Sequence, residues 1–171
     1  MANLKRFSFD FHRNLIALKK LMLEDAGRIM AREGSNHFEQ SWDKGGFTDK
    51  VLVKWKPRTE PAKKFTKKGK PLKSFQAWMN KNQGRATLIS HRGDTRGGHL
   101  KDSIRTSLRS NSVVFATDKP YAKVHNEGGK AGRGAGFRMK KRQFIGHSEQ
   151  LDKKIIDKIN REMDKIFNIT S

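Results

Sequence analysis

Six histidines, His12, His37, His91, His99, His125 and His147, are the side chains here best suited to hold a metal or move a proton. None of them forms a pair four residues apart on a predicted helix, and no carboxylate joins them at a recognised ligand spacing. His125 is instead expected to pack or hydrogen-bond near a turn at Gly128. Ser90, Ser103, Ser107 and Ser112 are available as nucleophiles, but none lies in a Gly-x-Ser-x-Gly elbow. Asp94, Asp102 and Glu127 are candidate acids and bases, yet nothing in the order of residues brings them together, and Asp102 reads as a polar residue beside a strand entry. The glycine-rich run Gly128 to Gly136 lacks the Gly-Lys-Ser/Thr ending of a phosphate loop and follows no buried parallel strand, so it reads as a flexible loop. Arg92-Gly93-Asp94 is a tripeptide expected by chance. The residues therefore predict no catalytic set, no metal and no cofactor.

Positive charge is the chemistry that remains. From Lys56 to Lys73 the chain carries Lys56, Arg58, Lys63, Lys64, Lys67, Lys68, Lys70 and Lys73 against a single acid, Glu60. From Lys130 to Arg142 a second run, with Arg133, Arg138, Lys140 and Lys141, is almost free of acids. Phe65 and Phe137 sit within these runs, and basic residues with interspersed aromatics can hold phosphates and stack on bases. A charge run is equally a solvated face. Lys63, Lys64, Lys67, Lys68, Lys70, Lys130, Arg133, Arg138, Lys140 and Lys141 are the candidate contacts to a polyanion or an acidic protein. No base-reading module is visible, so any nucleic-acid contact is expected to be independent of sequence.

The whole chain shares this bias, with a formal charge of +21 over 171 residues and a pI near 10.6. Such a surplus speeds encounter with nucleic acid or an acidic partner and says nothing about fold. A length of 171 residues implies one domain, 1–171, with a basic loop at 56–73 and a glycine-rich loop at 128–136. The hydrophobic share of 34% and mean hydropathy of −0.85 imply a modest core with long polar excursions. No apolar run is long enough to span a membrane, and the first residues do not read as a secretory signal. The absence of cysteine excludes disulfides and thiolate metal sites and fits a reducing cytoplasm.

The elements that must carry these segments are marked unevenly. Phe7, Phe9 and Phe11 alternate with polar residues as a short strand would. Leu15, Leu18, Met22, Ala26 and Ile29 form one helical stripe, with Gly34 as its expected stop and a loop over residues 35–50, turning at Gly45-Gly46. Val51 to Trp55 is β-prone and ends at Pro57. Phe75, Trp78 and Met79, after a Ser74 cap, suggest a short helix pinning the basic loop to the core. Ile104 to Arg109 and Val113 to Thr117 read as a hairpin turning at Ser110-Asn111. Tyr121 to His125 suggests a helical turn, and Phe137 to Lys141 an edge strand. Ser148 caps a final helix with Glu149 in its first turn and a stripe of Leu151, Ile155, Ile159, Met163 and Ile166. This order is α+β: an antiparallel sheet with a long N-terminal helix and a C-terminal helix packed on it.

Three short stretches before the final helix stand in a fixed order: Leu100-Lys101-Asp102-Ser103-Ile104, Tyr121-Ala122-Lys123-Val124-His125-Asn126-Glu127-Gly128, and Arg142-Gln143-Phe144-Ile145-Gly146. Together they resemble the phage virion morphogenesis family of tail-completion proteins over roughly Thr87 to Phe167. That family shows a Thr-Gly-x-Leu-x-x-Ser-Ile strand entry, a Tyr-Ala-x-x-His-x-x-Gly segment and an Arg-x-Phe-Ile/Leu-Gly helix entry. Upstream, Trp55-Lys56-Pro57 is similar to its Trp-x-Pro. The turn between Thr95 and Leu100 is stretched relative to the family, and the run from Met139 to Phe144 lacks the family's prolines. Leu100, Ser103, Ile104, Tyr121, His125, Gly128, Phe144 and Gly146 are the residues that match the signatures.

The resemblance implies a non-enzymatic structural protein: a tail-completion, tail-terminator or head-tail connector (neck) subunit of a tailed phage or prophage. It implies a homo-oligomeric ring, hexameric in the family, with other neck or tail proteins as partners and non-specific DNA contact possible. Localisation would be the host cytoplasm during assembly and the virion, at the head-tail interface, afterwards. Charge by itself supports an alternative, a basic, sequence-independent nucleic-acid-binding domain.

Overall fold

The computed structural model describes residues 12–82, 87–88, 99–110, 112–134 and 136–167. The alternating Phe7, Phe9 and Phe11, the turn residue Asn111, and Ser90, His91, Arg92-Gly93-Asp94 and Thr95 lie outside them.

The chain is helical over 12–20, passes through a π-helical stretch, Leu21–Asp25, and continues as α1, Ala26–Lys44. Helix α1 runs straight through Gly34, the expected stop, and takes up most of the expected loop 35–50. Gly34 serves packing instead. A Cβ there would stand 2.8 and 3.0 Å from Cε2 and Cε1 of Phe115, and closer still to Cζ. The stop falls at Gly45, left-handed at φ 60°, whose N–H bonds back to the carbonyls of Ser41 and Trp42. The buried face of α1 carries Ala26, Glu33, Gly34, His37, Phe38, Ser41 and Trp42. Upstream, Leu15 and Met22 are 51% and 60% exposed while Leu21 is buried. The π turn accounts for this slip from the expected stripe, because its wider turn rotates all that precedes it relative to α1.

Strands β1, Gly46–Thr48, and β2, Leu52–Lys54, pair antiparallel; β1 is buried, β2 is exposed, and Trp55 returns to the core. Helix α2, Lys73–Asn82, turns towards the basic loop. Phe75 meets Phe65 edge-on at 5.5 Å and stacks with Trp78 at 6.2 Å, and Trp78 Nε1 donates to the Thr59 carbonyl at 3.0 Å. The expected pin is thus made to the loop's own residues. Strands β3, Ile104–Arg109, and β4, Ser112–Thr117, form the expected hairpin, pairing Ile104 with Thr117 and Arg109 with Ser112. Helix α3, Ala122–Glu127, follows. The glycine-rich run pairs as well: β5, Gly129–Ala131, lies against β6, Phe137–Met139. Helix α4, Glu149–Phe167, closes the chain, with Ser148 Oγ accepting the Leu151 N–H at 3.1 Å as its cap.

Helices and antiparallel strands make an α+β fold, with the strands distributed over three two-stranded sheets among the described residues. Helix α1 touches α4, β1, β3 and β4. Two apolar clusters lie along it. Trp42, Trp55, Leu100, Ala122 and Phe144 form one; Phe38, Phe47 and Leu151 form the other, with Ile145 packed against both. Polar ties complete the packing. Lys154 Nζ lies 2.9 Å from Glu33 Oε2, and Lys158 bonds the same carboxylate. Helix α4 is held at its start by Asp49, whose Oδ1 accepts the Glu149 N–H at 2.9 Å.

Candidate functional site

Phe144, in the third signature stretch, is fully buried among Trp42, Trp55 and the other two stretches' Leu100 and Ala122. Its ring lies 5.3 Å from that of Trp42, which meets Trp55 edge-on at 5.2 Å. The backbone is tied at the same point. Asn126 Oδ1 accepts the N–H groups of Phe144 and Ile145 at 2.9 and 3.2 Å, and the Arg142 N–H bonds the His125 carbonyl at 2.8 Å. Trp55 Nε1 donates to the Gln143 carbonyl at 2.6 Å. Ser103 Oγ donates to the Leu100 carbonyl at 2.8 Å and lies 2.6 Å from Thr117 Oγ1. Gly128, at φ 79°, leaves α3 where a side chain would strike the backbone of Lys141; Gly146 sits at φ 148° beside Gln143. Sequence stretches read separately are therefore one physical knot, to which Leu100, Ser103, Ile104, Phe144 and Gly146 contribute packing and turns.

Arg142 links this knot to the basic segments. It is 7% exposed, its Nε donates to the Lys56 carbonyl at 2.9 Å, and its Nη2 donates to the Pro57 carbonyl at 3.3 Å. Lys140 Nζ also reaches the Pro57 carbonyl, at 3.5 Å. The two basic runs, far apart in sequence, are thus stapled side by side at their bases. Between them opens a cleft of about 480 Å³. Arg58, Arg138, Lys140 and Arg142 line it with Tyr121 and His125, and among the described residues no Asp or Glu does. Burial, then the charge of Arg142, lowers the His125 pKa, so its imidazole is neutral at physiological pH. Its Nδ1 is buried without a partner among the described residues, and Tyr121 lies edge-on at 5.9 Å.

The other predicted contacts divide by position. Lys63, Lys67, Lys68 and Lys70 are exposed on the 56–72 loop, whereas Lys64 pairs with Glu60 and stands 5.7 Å over the Phe75 ring. Lys130 faces Arg138 across the β5–β6 ribbon, Arg133 lies in its turn, and Lys141 is exposed at its base. Like charges directly opposite on a ribbon repel, which leaves this one suited to an anionic partner. Sequence reading counted Arg142 only as the last cation of the second basic run, not among the candidate contacts, and it passed over Asn126 and Glu33. Only the i, i+4 spacing of Lys154 and Lys158 on α4 offered a signal for Glu33.

A sequence model of the phage virion morphogenesis family matches residues 20–164. The chain belongs to that family. Its match takes in all of α1, both basic segments, the whole Phe144 knot and most of α4. A similar protein, Mu-like prophage FluMu G protein 2 of Haemophilus influenzae, is 34% identical over 61 residues, 36% of this chain and 44% of the relative. The match spans less than half the length of that relative. No solved structure matches the chain. Membership in a structural family of phage morphogenesis makes this a phage virion assembly protein. Among the described residues no His, Asp and Glu side chains group as a metal site, and no helix is long and apolar enough to cross a membrane.

Proposed function

We propose that this family member is a tail-completion or neck subunit that joins parts of a tailed-phage particle, working as a ring of identical copies. Family membership over residues 20–164 carries the reading. The stapled basic segments support it, because they present a single cationic face to a neighbouring ring or to DNA threading past. A heterologous head-to-tail contact between copies closes naturally into a ring. In this reading the protein sits in the host cytoplasm during assembly and at the head-tail interface of the finished virion.

Sedimentation of the full chain at micromolar concentration, alone and with tail tubes or filled heads, tests it. Self-association or co-sedimentation is expected; a monomer that binds neither refutes the proposal. Neutralising Lys63, Lys64, Lys67 and Lys68 to Gln then separates the uses of charge. Contact with an acidic protein ring predicts failed joining with little change in DNA affinity. Contact with duplex phosphates predicts a salt dependence flattened by about 0.9 per lost contact. Lys64 already has a partner in Glu60, so it should add least to that slope.

A further inference from the structure

Among the described residues, the two buried charges are treated differently. Glu33 is answered from within, by Lys154 and Lys158, with Arg32 at 3.5 Å. Arg142 is as buried as many core residues, yet its side-chain acceptors are the Lys56 and Pro57 carbonyls and the Met139 sulfur at 3.7 Å, all uncharged. A guanidinium does not deprotonate in proteins, and a buried charge without a counter-ion is costly. Arg138 and Lys140 line the same cleft and add to the unanswered charge.

We propose that this cleft is a carboxylate-binding socket for an acidic segment of a neighbouring virion protein, with Arg138, Lys140 and Arg142 meeting its carboxylates. The proposal rests on the reading of the chain as a joining subunit. Arg142 is oriented before any ligand arrives, because two backbone carbonyls hold its fork, and such preorganisation lowers what binding must offset. With Nε and one Nη2 hydrogen held by the carbonyls and one Nη1 hydrogen on the Met139 sulfur, one hydrogen on each Nη is left as an end-on pair that suits a carboxylate. Leu100, Phe137 and Met139 give the cleft apolar walls that suit peptide side chains. A DNA duplex, a stiff rod with its phosphates on the outside, fits a concave cleft of this size poorly.

Binding of a fluorescent hexaglutamate peptide to the full chain, followed by anisotropy at near-physiological salt, tests the socket. Arg138→Gln with Lys140→Gln should weaken binding roughly tenfold or more, as expected for charge-assisted hydrogen bonds. Lys19→Gln with Lys20→Gln removes the same charge from the exposed face of the N-terminal helix, outside the cleft, and should weaken it less than about threefold. Equal losses in the two pairs would mean general attraction and overturn the socket. So would displacement of the peptide by oligo-dT at lower concentrations than by unlabelled peptide, which would mark a nucleic-acid site. Arg142→Lys keeps the charge and loses the fork; with its thermal midpoint retained, it should also weaken binding roughly tenfold. If that variant fails to fold, the Arg138 and Lys140 pair still decides. A chain that holds the peptide in the cleft but never sediments with tails or heads would uphold the socket and remove the joining reading alone.

Discussion

Replacing Gly34 by Ala should destabilise the protein, although the same change in most helix interiors stabilises by about 1 kcal/mol. The new Cβ would lie 2.8 Å from Phe115 Cε2 and nearer to Cζ, well inside the ~3.5–4.0 Å at which carbon atoms rest. Phe115 has nowhere easy to go, because its ring already meets Phe38 edge-on at 5.0 Å. Overpacking of this kind costs about 1–3 kcal/mol, and disturbing the aromatic pair forfeits part of a further ~0.5–1.5 kcal/mol. Against a helix gain of about 1 kcal/mol, the net should be a loss of about 1–2 kcal/mol. Gly27 is the internal control: a Cβ there meets Leu108 Cδ2 at an ordinary 3.5 Å, so Gly27→Ala should stabilise by about 0.5–1 kcal/mol. Urea unfolding at one fixed protein concentration would show the two midpoints moving in opposite directions with unchanged slopes. Adding Phe115→Leu to Gly34→Ala should recover more stability than independent effects allow. If Gly34→Ala proves as stabilising as Gly27→Ala, the hairpin does not rest on the helix backbone as described.

Acid should destabilise the fold in two windows. Burial lowers the pKa values of His37 and His125, so the unfolded chain binds their protons first and stability should fall as pH drops below about 6.5; His125→Gln should shrink that fall in chemical denaturation, and an unchanged profile would count against it. Lys158 and Lys154 hold Glu33 down at about 2, so its contribution, present above 4.5, should be lost as pH falls towards 2; screening of the partly exposed lysines limits it to about 1–2 kcal/mol, and Glu33→Gln should flatten this lower window. Asn126→Ala strands two backbone N–H groups and should cost about 2–3 kcal/mol in denaturant titrations, whereas a loss below about 0.5 kcal/mol would show that the knot does not depend on them. Ser148→Ala should cost about 1 kcal/mol and leave the denaturant slope unchanged, since only a cap is lost.

The parts of the fold legible in the sequence are those set by local rules. Period-2 alternation marked β3, the return after the Ser110-Asn111 turn marked β4, and Ser148 with Glu149 marked the start of α4, because strand pleat, turn and helix cap need only neighbours. Gly34 misled for the same reason. A helix-ending glycine and a helix-packing glycine look alike until Phe115, on a distant strand, is brought against one of them. The stripe before Ala26 slipped because a constant 3.6-residue period cannot anticipate the π turn at Leu21–Asp25. At the candidate site, the two basic runs and the signature residues were visible, but not their junction. Arg142 looked like one more cation in a basic run, and only the Lys56 and Pro57 carbonyls distinguish it.

The Phe144 knot also dictates an order of events. Trp55 waits for the Gln143 carbonyl, Asp49 for the Glu149 N–H, and Glu33 for Lys154 and Lys158, all pairings across most of the chain. Contacts of such long sequence separation form late and slow folding, and synthesis delivers the earlier partners first, at about 5–20 residues per second. Until Arg142 to Lys158 has emerged, Trp42, Trp55 and Leu100 lack the ring that covers them, and the two basic runs lack their staple. A nascent or truncated chain therefore displays sticky aromatics and no assembled cationic face. Closure of the aromatic core and assembly of the cationic face arrive in the same step, with the segment from Arg142 to Lys158.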